Sequence, residues 1–211
     1  YTVEDACGNS TQAFTEITVV DIVPPIAVCD EFTVVTLTSD GSAYAFAATF
    51  DDGSFDNCSS VIFSVRRPEG GCGAGNSYGD YVEFCCSDVG NDVMVELKIT
   101  EDRPNGLSNS CMVIVHVQDK INPVITCPAD VTIDCTEDYT DSSHGVPTGF
   151  DNCSGTITGP VYSGSLNDCG TGTIYKTWTI TDGGGRTDEC SQIITVINNN
   201  IFNGNNPSML S

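Results

Sequence analysis

Positive charge is scarce in this sequence, and long hydrophobic runs are missing. Among the 211 residues, Lys and Arg number 7 against 29 Asp and Glu, which gives a formal net charge of −22. A surface of this sign repels the phosphates of nucleic acids and of anionic membranes, so we expect neither as a partner. No apolar stretch approaches the roughly 20 residues of a membrane helix, so we expect no membrane insertion. The carboxylate excess favours either solubility in a salty medium or cation binding.

The sequence also lacks the motifs of common enzymes and of zinc sites. There is no G-x-S-x-G, no H-E-x-x-H and no phosphate-binding glycine loop followed by Lys. The two histidines, His116 and His144, stand apart from each other and from any candidate nucleophile. The 12 cysteines show no zinc-type spacing, so we expect disulfides in a secreted, extracellular protein. We therefore predict that the protein is not an enzyme.

Short alternating strands and turns dominate what is present. Charged residues make up 17%, too few for the exposed faces of many helices. Residues 93–100 (VMVELKIT) alternate apolar and polar side chains, as a half-buried strand does. Sandwich domains of the Ig type have about 100 residues, so this chain has room for two. The pattern predicts an all-β fold of tandem Ig-like β-sandwich domains, with Trp178 in a core.

A linker motif recurs at the spacing of one such domain. Residues 19–29 (VVDIVPPIAVC) and 117–127 (VQDKINPVITC) share Val, Asp, Pro and Cys in register. A hairpin pattern with a Gly- or Asn-rich turn precedes each linker. We therefore predict four segments: the last hairpin of a preceding Ig-like repeat at 1–21, a whole domain at 22–119, a second and shorter domain at 120–198, and a linker to a further domain at 199–211.

Each predicted domain carries an opening, a middle and a closing motif in the same order. These motifs lie at 21–29, 56–58 and 99–117 in the first domain, and at 119–128, 151–153 and 180–196 in the second. They resemble hyalin-repeat (HYR) modules and, more closely, the Cys-rich Ig-like repeats of giant cell-surface proteins of Bacteroidota-type bacteria. The resemblance implies a disulfide-bonded repeat of the kind found in adhesins, gliding filaments and surface fibres.

An Ig-like topology predicts two disulfide bonds. The first and last strands of the sandwich begin at the same end, so we predict Cys29 with Cys111 and Cys127 with Cys190. A bond that closes a loop of more than about 60 residues contributes roughly 4 kcal/mol on the chain-entropy model.

The other cysteines leave alternatives open. Cys85 and Cys86 are neighbours on a strand and point to opposite faces, so they need different partners. We favour Cys72 with one of them and Cys58 with the other. The remaining cysteines of the second domain leave one odd thiol, and the partner of the first cysteine, if any, lies outside this sequence, where an intermolecular bond is an alternative. These cysteines are Cys135, Cys153, Cys169 and Cys7.

The same topology gathers acidic residues where the linker meets the N-terminal end of each domain. Calcium takes six to eight oxygen ligands, so these side chains are candidate calcium ligands, although Asp and Asn are also ordinary turn residues. We expect the first group to be the richer one. The candidates are Asp21, Asp51, Asp52, Asp56, Glu101 and Asp102 in the first domain, and Asp119, Asp151, Asn152 and Asp182 in the second.

Repetition and the absence of special loops favour a structural role. We predict a repeat segment of a long secreted cell-surface filament or adhesin, acting as a spacer stiffened by disulfides and calcium. The alternative is an adhesin domain that binds a glycan or a protein of another cell. Further expected partners are neighbouring repeats of the same chain and a homo-oligomeric fibre. Exposed aromatic residues would favour the binding alternative, and the candidates are Tyr78, Tyr81, Tyr139 and Tyr162.

Overall fold

Regular structure in the computed structural model consists of β-strands and short 3₁₀ turns over the described residues, 1–72 and 76–199. The strands are β1 (Thr2–Glu4), β2 (Ser10–Gln12), β3 (Phe32–Thr36), β4 (Ser42–Phe46), β5 (Val61–Arg66), β6 (Tyr81–Cys85), β7 (Asp92–Glu101), β8 (Ser108–Gln118), β9 (Val124–Thr126), β10 (Val131–Asp134), β11 (Thr148–Phe150), β12 (Gly155–Leu166), β13 (Gly172–Asp182) and β14 (Thr187–Ile197). The 3₁₀ turns are Ala47–Phe50, Cys86–Asp88 and Ser142–His144.

The first sandwich packs a four-stranded sheet against a two-stranded one. The larger sheet has the order β3-β8-β7-β5, in which β3 runs parallel to β8 and the other pairs are antiparallel. Strands β4 and β6 pair across from it. Alternate residues Val95, Leu97 and Ile99 of β7 are fully buried, as the pattern of residues 93–100 predicted. They pack with Phe50 and Phe84 in the core between the sheets.

The second sandwich repeats this plan with fewer strands. Its larger sheet has the order β10-β14-β13-β12, again with the first strand parallel to the last, and β9 pairs with β11 opposite. Strand β12 turns directly into β13, so in the described part of the chain nothing corresponds to β6 of the first sandwich. Because the sheet opposite the larger one is smaller here, the buried apolar residues form two small clusters in place of one large core. Trp178 is buried in one of them with Ile125 and Ile180.

The predicted fold class is confirmed. The chain is all-β, built as tandem Ig-like β-sandwiches that are cross-linked by four disulfides. Ahead of the first sandwich, β1 and β2 form a short hairpin, and residues 13–20 lie outside any strand. The domain boundaries given above stay predictions. The predicted linker at 199–211 lies outside the described residues except for Asn199.

A buried ion pair joins the residue after β5 to the 3₁₀ turn after β6. Arg67 Nη1 and Nη2 donate to the two carboxylate oxygens of Asp88 at 2.9 and 2.8 Å, and both side chains are buried. Nη1 also donates to the carbonyl oxygen of Glu83. Because a buried charge requires a partner, this two-point contact holds Arg67 against the 3₁₀ turn Cys86–Asp88. This pair was not predicted from the sequence.

Candidate calcium sites and disulfides at the domain junctions

Two disulfides tie the opening segment of each sandwich to its last strand. Cys29 is bonded to Cys111, with Cα atoms 6.1 Å apart, and Cys127 is bonded to Cys190, with Cα atoms 5.6 Å apart. These are the two pairs expected from the Ig-like topology. Each bond joins residues that are far apart in sequence, so each one resists separation of the first and last parts of its sandwich.

The adjacent cysteines take different partners, but one of them is not the partner favoured above. Cys85 is bonded to Cys72, whereas Cys86 is bonded to Cys153 of the second sandwich. Assigning Cys58 to one of the adjacent cysteines was wrong, and Cys58 is an exposed free thiol. The reason is distance: Cys86 precedes β7 and Cys58 lies beside its far end, and the ten residues of β7 span about 33 Å.

The other free thiols lie in the first hairpin and in the second sandwich. Cys7 is exposed in the turn between β1 and β2. Cys135 and Cys169 are also free, so the second sandwich keeps two thiols and its third remaining cysteine, Cys153, pairs across the junction. The expectation of one odd thiol in the second domain counted pairs only within that domain.

Three carboxylates converge at the N-terminal end of the first sandwich. Asp21 lies in the linker, Asp56 in the loop between β4 and β5, and Glu101 at the end of β7. One oxygen of each lies within 4.8 Å of the other two. We call this group the first carboxylate cluster. The side chains of Glu101 and Asp21 are 0% and 9% exposed, so the group is largely shielded from solvent.

Local hydrogen bonds hold each of these carboxylates by one oxygen. Asp21 Oδ1 accepts from the amide of Val23 at 3.0 Å, and Asp56 Oδ2 accepts from the amide of Cys58 at 2.8 Å. Glu101 Oε2 accepts from an amide in the last hairpin turn at 2.6 Å. The opposite oxygens, Asp21 Oδ2, Asp56 Oδ1 and Glu101 Oε1, are buried and accept no hydrogen bond from the described residues.

The second sandwich repeats this arrangement position by position. Asp119 lies in the linker, Asp151 in the loop after β11 and Asp182 at the end of β13, and their oxygens also lie within 4.8 Å of one another. All three residues are at most 8% exposed. We call them the second carboxylate cluster. Each is again held by one oxygen, which accepts from a backbone amide at 2.7 to 3.0 Å. The opposite oxygens are buried without a hydrogen-bond donor among the described residues.

The remaining candidate ligands lie outside these clusters. Asp51 accepts from the amides of its own turn, Asp52 is exposed, and Asp102 Oδ2 accepts from the hydroxyl of Ser60 at 3.4 Å. Asn152 has a buried Oδ1 that no described donor reaches. Each junction therefore gathers three carboxylates, and the expectation of a richer first group does not match the structure.

The two clusters differ in their nearest cation. Arg103 Nη2 lies 2.7 Å from Glu101 Oε2 and 3.8 Å from Asp21 Oδ2 in the first cluster. In the second, Arg186 contacts the carbonyl oxygen of Asp119 and the side chain of Asn122, and no Lys or Arg of the described residues forms an ion pair with the three carboxylates. The second cluster therefore holds more uncompensated negative charge, which is costly when buried.

Both arginines also bind the linker, a feature that was not predicted from the sequence. Arg103 Nη2 donates to the carbonyl oxygen of Asp21 at 3.3 Å, and Arg186 Nε donates to that of Asp119 at 3.4 Å. The signal was available, because each arginine follows the cluster acid at the end of its strand within the last hairpin turn. The hairpin thus contacts the linker through both its carboxylate and its arginine.

The Cys86–Cys153 bond lies in a close contact between the two sandwiches. Asn152 Nδ2 donates to the carbonyl oxygen of Thr38 at 3.3 Å. Gly41, in the same turn as Thr38, has a φ of +77°, and a Cβ there would lie 2.7 Å from Cys86 Sγ and 2.8 Å from the carbonyl oxygen of Asn152. Only a glycine allows both this backbone conformation and this approach.

Comparison with known proteins gives likeness only at the level of structure. No family model and no curated protein matches the sequence. The chain is similar to Sidekick-1 immunoglobulin domains 1–4 (11% identity, TM-score 0.38, 93% of this chain and 57% of that one). It is also similar to Drosophila N-cadherin EC1-4 (12%, 0.38, 83% and 50%) and to human protocadherin-24 EC1-2 (12%, 0.37, 84% and 99%). The chain thus spans about half the length of the first two structures, and TM-scores below 0.5 carry no argument about function.

Among the described residues, no helix has the length and apolar character needed to cross a bilayer.

Proposed function

We propose that this chain is a repeat segment of a long, secreted cell-surface filament or adhesin, in which calcium and disulfides stiffen the junctions between Ig-like domains. The observation that carries the proposal is the repetition of three carboxylates at equivalent positions of both junctions, each with one buried oxygen that has no donor among the described residues. The resemblance to Cys-rich repeats of Bacteroidota-type surface proteins and to HYR modules supports the same role.

The chemistry of the clusters favours calcium over other metals. All the converging ligands are carboxylate oxygens, which suit a hard cation, and neither cluster contains His or Cys. Calcium accepts an irregular shell of six to eight oxygens and completes it with carbonyls and water, whereas magnesium requires near-ideal octahedral geometry. A cation would also offset the repulsion between the three converging negative charges at each junction.

Cation binding at these positions would restrict the angle between domains. Each cluster joins the linker, through Asp21 or Asp119, to the loop and the last hairpin of the domain that follows. At the second junction, Asp151 is two residues from Cys153, whose bond reaches back to Cys86 of the first sandwich. The candidate ligand and the covalent cross-link therefore lie in one loop, and both hold the second domain against the first.

The proposal predicts that calcium stabilises the chain through these carboxylates. Thermal unfolding of the intact chain should shift to higher temperature in millimolar calcium relative to EDTA. Asp182→Asn should reduce the shift, since it removes one converging charge. Asp168→Asn, which removes an exposed charge in the turn before β13, is the matched control and should keep the full shift. An equal melting temperature in calcium and in EDTA would contradict the calcium part of the proposal.

Placement and partners follow from the same features. Four disulfides indicate an oxidising compartment, so we place the chain outside the cell, at the surface. Neighbouring repeats of the same chain are its first partners. Side-by-side packing into a homo-oligomeric fibre would bring strongly negative surfaces together, so cations would be needed there as well. Comparing sedimentation in calcium and in EDTA tests for that assembly.

One observation favours the second candidate function, glycan binding. Tyr44, Phe46 and Tyr81 form an exposed aromatic group on β4 and β6, with ring centroids 5.4 and 6.0 Å apart. Exposed aromatic faces stack on sugars. Among the other candidate tyrosines, the ring of Tyr78 is covered by the cationic groups of Arg66 and Lys98. A glycan array probed with the intact chain tests this alternative. A selective signal that Tyr81→Ala removes would support it, and the absence of any signal would leave the spacer role.

A further inference from the structure

We propose that Cys58 forms an inter-domain disulfide with a cysteine of an Ig-like domain that precedes residues 22–119 in the array. The partner is the cysteine at the position that Cys86 occupies in the first sandwich, in the loop ahead of the strand corresponding to β7. The proposal rests on the tandem array of the proposed function and does not depend on calcium.

Cys58 is the repeat equivalent of Cys153, which is bonded across the junction. Each is the last residue of an Asp-Asn-Cys triplet, and the Asp of each triplet belongs to a carboxylate cluster. The local geometry also matches. The amide of Cys58 donates to Asp56 Oδ2 at 2.8 Å, and the amide of Cys153 donates to Asp151 Oδ2 at 2.9 Å. The Asp side chain therefore holds the backbone of the cysteine in the same way in both sandwiches.

The two triplets differ in exposure, and among the described residues only the second has a sandwich packed against it. In the second sandwich, Asp151 is buried and Asn152 and Cys153 are half-buried, because the first sandwich lies against them. In the first sandwich, Asp56 is half-buried and Asn57 and Cys58 are exposed. A domain placed ahead of the first sandwich, as the first is placed ahead of the second, would cover this surface.

The other free cysteines do not have the required position. Cys135 and Cys169 lie in the second sandwich, beyond its junction with the first. They also lie close to each other, since a Cβ on Gly170, the residue after Cys169, would be 3.6 Å from the Cβ of Cys135. Cys7 lies in a hairpin turn like the one that follows Glu101. In the first sandwich that turn is at the end opposite Cys86, so in a preceding domain Cys7 would be at the end remote from Cys58.

The bond forms by oxidation of two thiols. Each cysteine loses its proton and together they give up two electrons, which reduce the disulfide of a thiol–disulfide oxidoreductase to a dithiol through a mixed-disulfide intermediate.

Disulfide mapping of the full-length protein as secreted tests the proposal. The protein is alkylated with N-ethylmaleimide in EDTA without reductant, digested, and analysed by mass spectrometry. The expected result is a Cys58 peptide linked to a cysteine of a preceding Ig-like domain. Recovery of alkylated Cys58, or of Cys58 linked to Cys7 or to a cysteine of residues 22–198, would overturn it. Because EDTA is present throughout, failure of the calcium proposal does not affect this result.

A variant gives a second readout in the same protein. In Cys58→Ser, one cysteine of the preceding domain should become reactive toward N-ethylmaleimide, while Cys29–Cys111 and Cys127–Cys190 remain bonded as a check on folding. Cys7→Ser is the matched control and should expose no such thiol. If Cys58→Ser exposes no new thiol while both internal bonds are intact, the proposal is wrong.

Discussion

Cys86 of the first sandwich is bonded to Cys153 of the second, with their Cα atoms 5.0 Å apart. This is the only bond of the four that crosses between the sandwiches in the described part of the chain. It joins the turn ahead of β7 to the loop that also carries Asp151.

Removing the Cys86–Cys153 bond should loosen the junction. In the double variant Cys86→Ser, Cys153→Ser, small-angle X-ray scattering in EDTA should show a broader distribution of distances between the sandwiches. Losing a bond that closes a loop of this length should also lower the free energy of unfolding by about 4 kcal/mol on the chain-entropy model. The double variant Cys72→Ser, Cys85→Ser removes a bond within the first sandwich and should leave the scattering unchanged. Identical scattering from both variants would contradict the account.

Replacing Gly41 should disturb the same contact. Gly41→Ala places a Cβ within 3 Å of Cys86 Sγ and of the Asn152 carbonyl oxygen, in addition to the strain of a φ of +77°. Gly90→Ala is a close control, because Gly90 has a φ of +76° with no atom near its added Cβ. Chemical denaturation should show a loss of about 1 kcal/mol for Gly90→Ala and a larger loss for Gly41→Ala. Equal losses would mean that the junction contact is not tight.

The second junction should bind calcium more tightly than the first, because Arg103 already offsets part of the charge of the first cluster. Arg103→Gln should tighten the weaker site by about tenfold, which corresponds to about 1.4 kcal/mol. Arg66→Gln is the control, since Arg66 pairs with Glu96 away from both clusters. Competition titration with a calcium-sensitive dye measures the affinities. If the calcium affinity of the weaker site were unchanged in Arg103→Gln, this electrostatic argument would be wrong.

Acid should destabilise the folded chain. In five turns, hydrogen bonds from hydroxyls and backbone amides hold the pKa of an aspartate below its ordinary value, so the folded form stays ionised where the unfolded form takes up a proton. The stability that these groups give is present above the ordinary carboxyl pKa of about 3.9 and is lost as pH falls through the lower folded pKa. These residues are Asp40 (Thr38 hydroxyl), Asp56 (Cys58 amide), Asp134 (Asn199 amide), Asp138 (Thr140 hydroxyl) and Asp141 (Ser143 amide).

Melting temperatures in calcium-containing buffer should therefore be level from about pH 5 to 7 and fall below about pH 4. Asp40→Asn should make the acid decline less steep, because the turn then no longer depends on ionisation. A melting temperature that rises on acidification would show that another titrating group determines how stability depends on pH.

The sequence was sufficient for features that repeat along the chain. The alternation in residues 93–100 predicted the buried face of β7, and the linker motif placed Asp21 and Asp119 at equivalent positions. It was not sufficient for features that depend on how two domains meet. Cys86 could be assigned to Cys153 only with the orientation of the second sandwich known, and no local pattern encodes that orientation.

Tertiary context also decided which acids converge. Asp52 and Asp56 lie in the same acidic loop, and only the position of the loop relative to the end of β7 selects Asp56. The Arg67–Asp88 pair is similar, since its partners are 21 residues apart and meet only in the folded sandwich. Charge composition predicts an acidic surface, but it does not distinguish exposed carboxylates from the buried ones.

Isothermal titration of the intact chain with calcium tests the central claim most directly. The account predicts two bound calcium ions per chain, and one in the double variant Asp119→Asn, Asp182→Asn, which removes two of the three converging carboxylates of the second cluster. The control Asp52→Asn, Asp168→Asn removes the same charge outside the clusters and should keep both ions. No heat with the intact chain, or the same stoichiometry in the cluster variant as in the control, would contradict it.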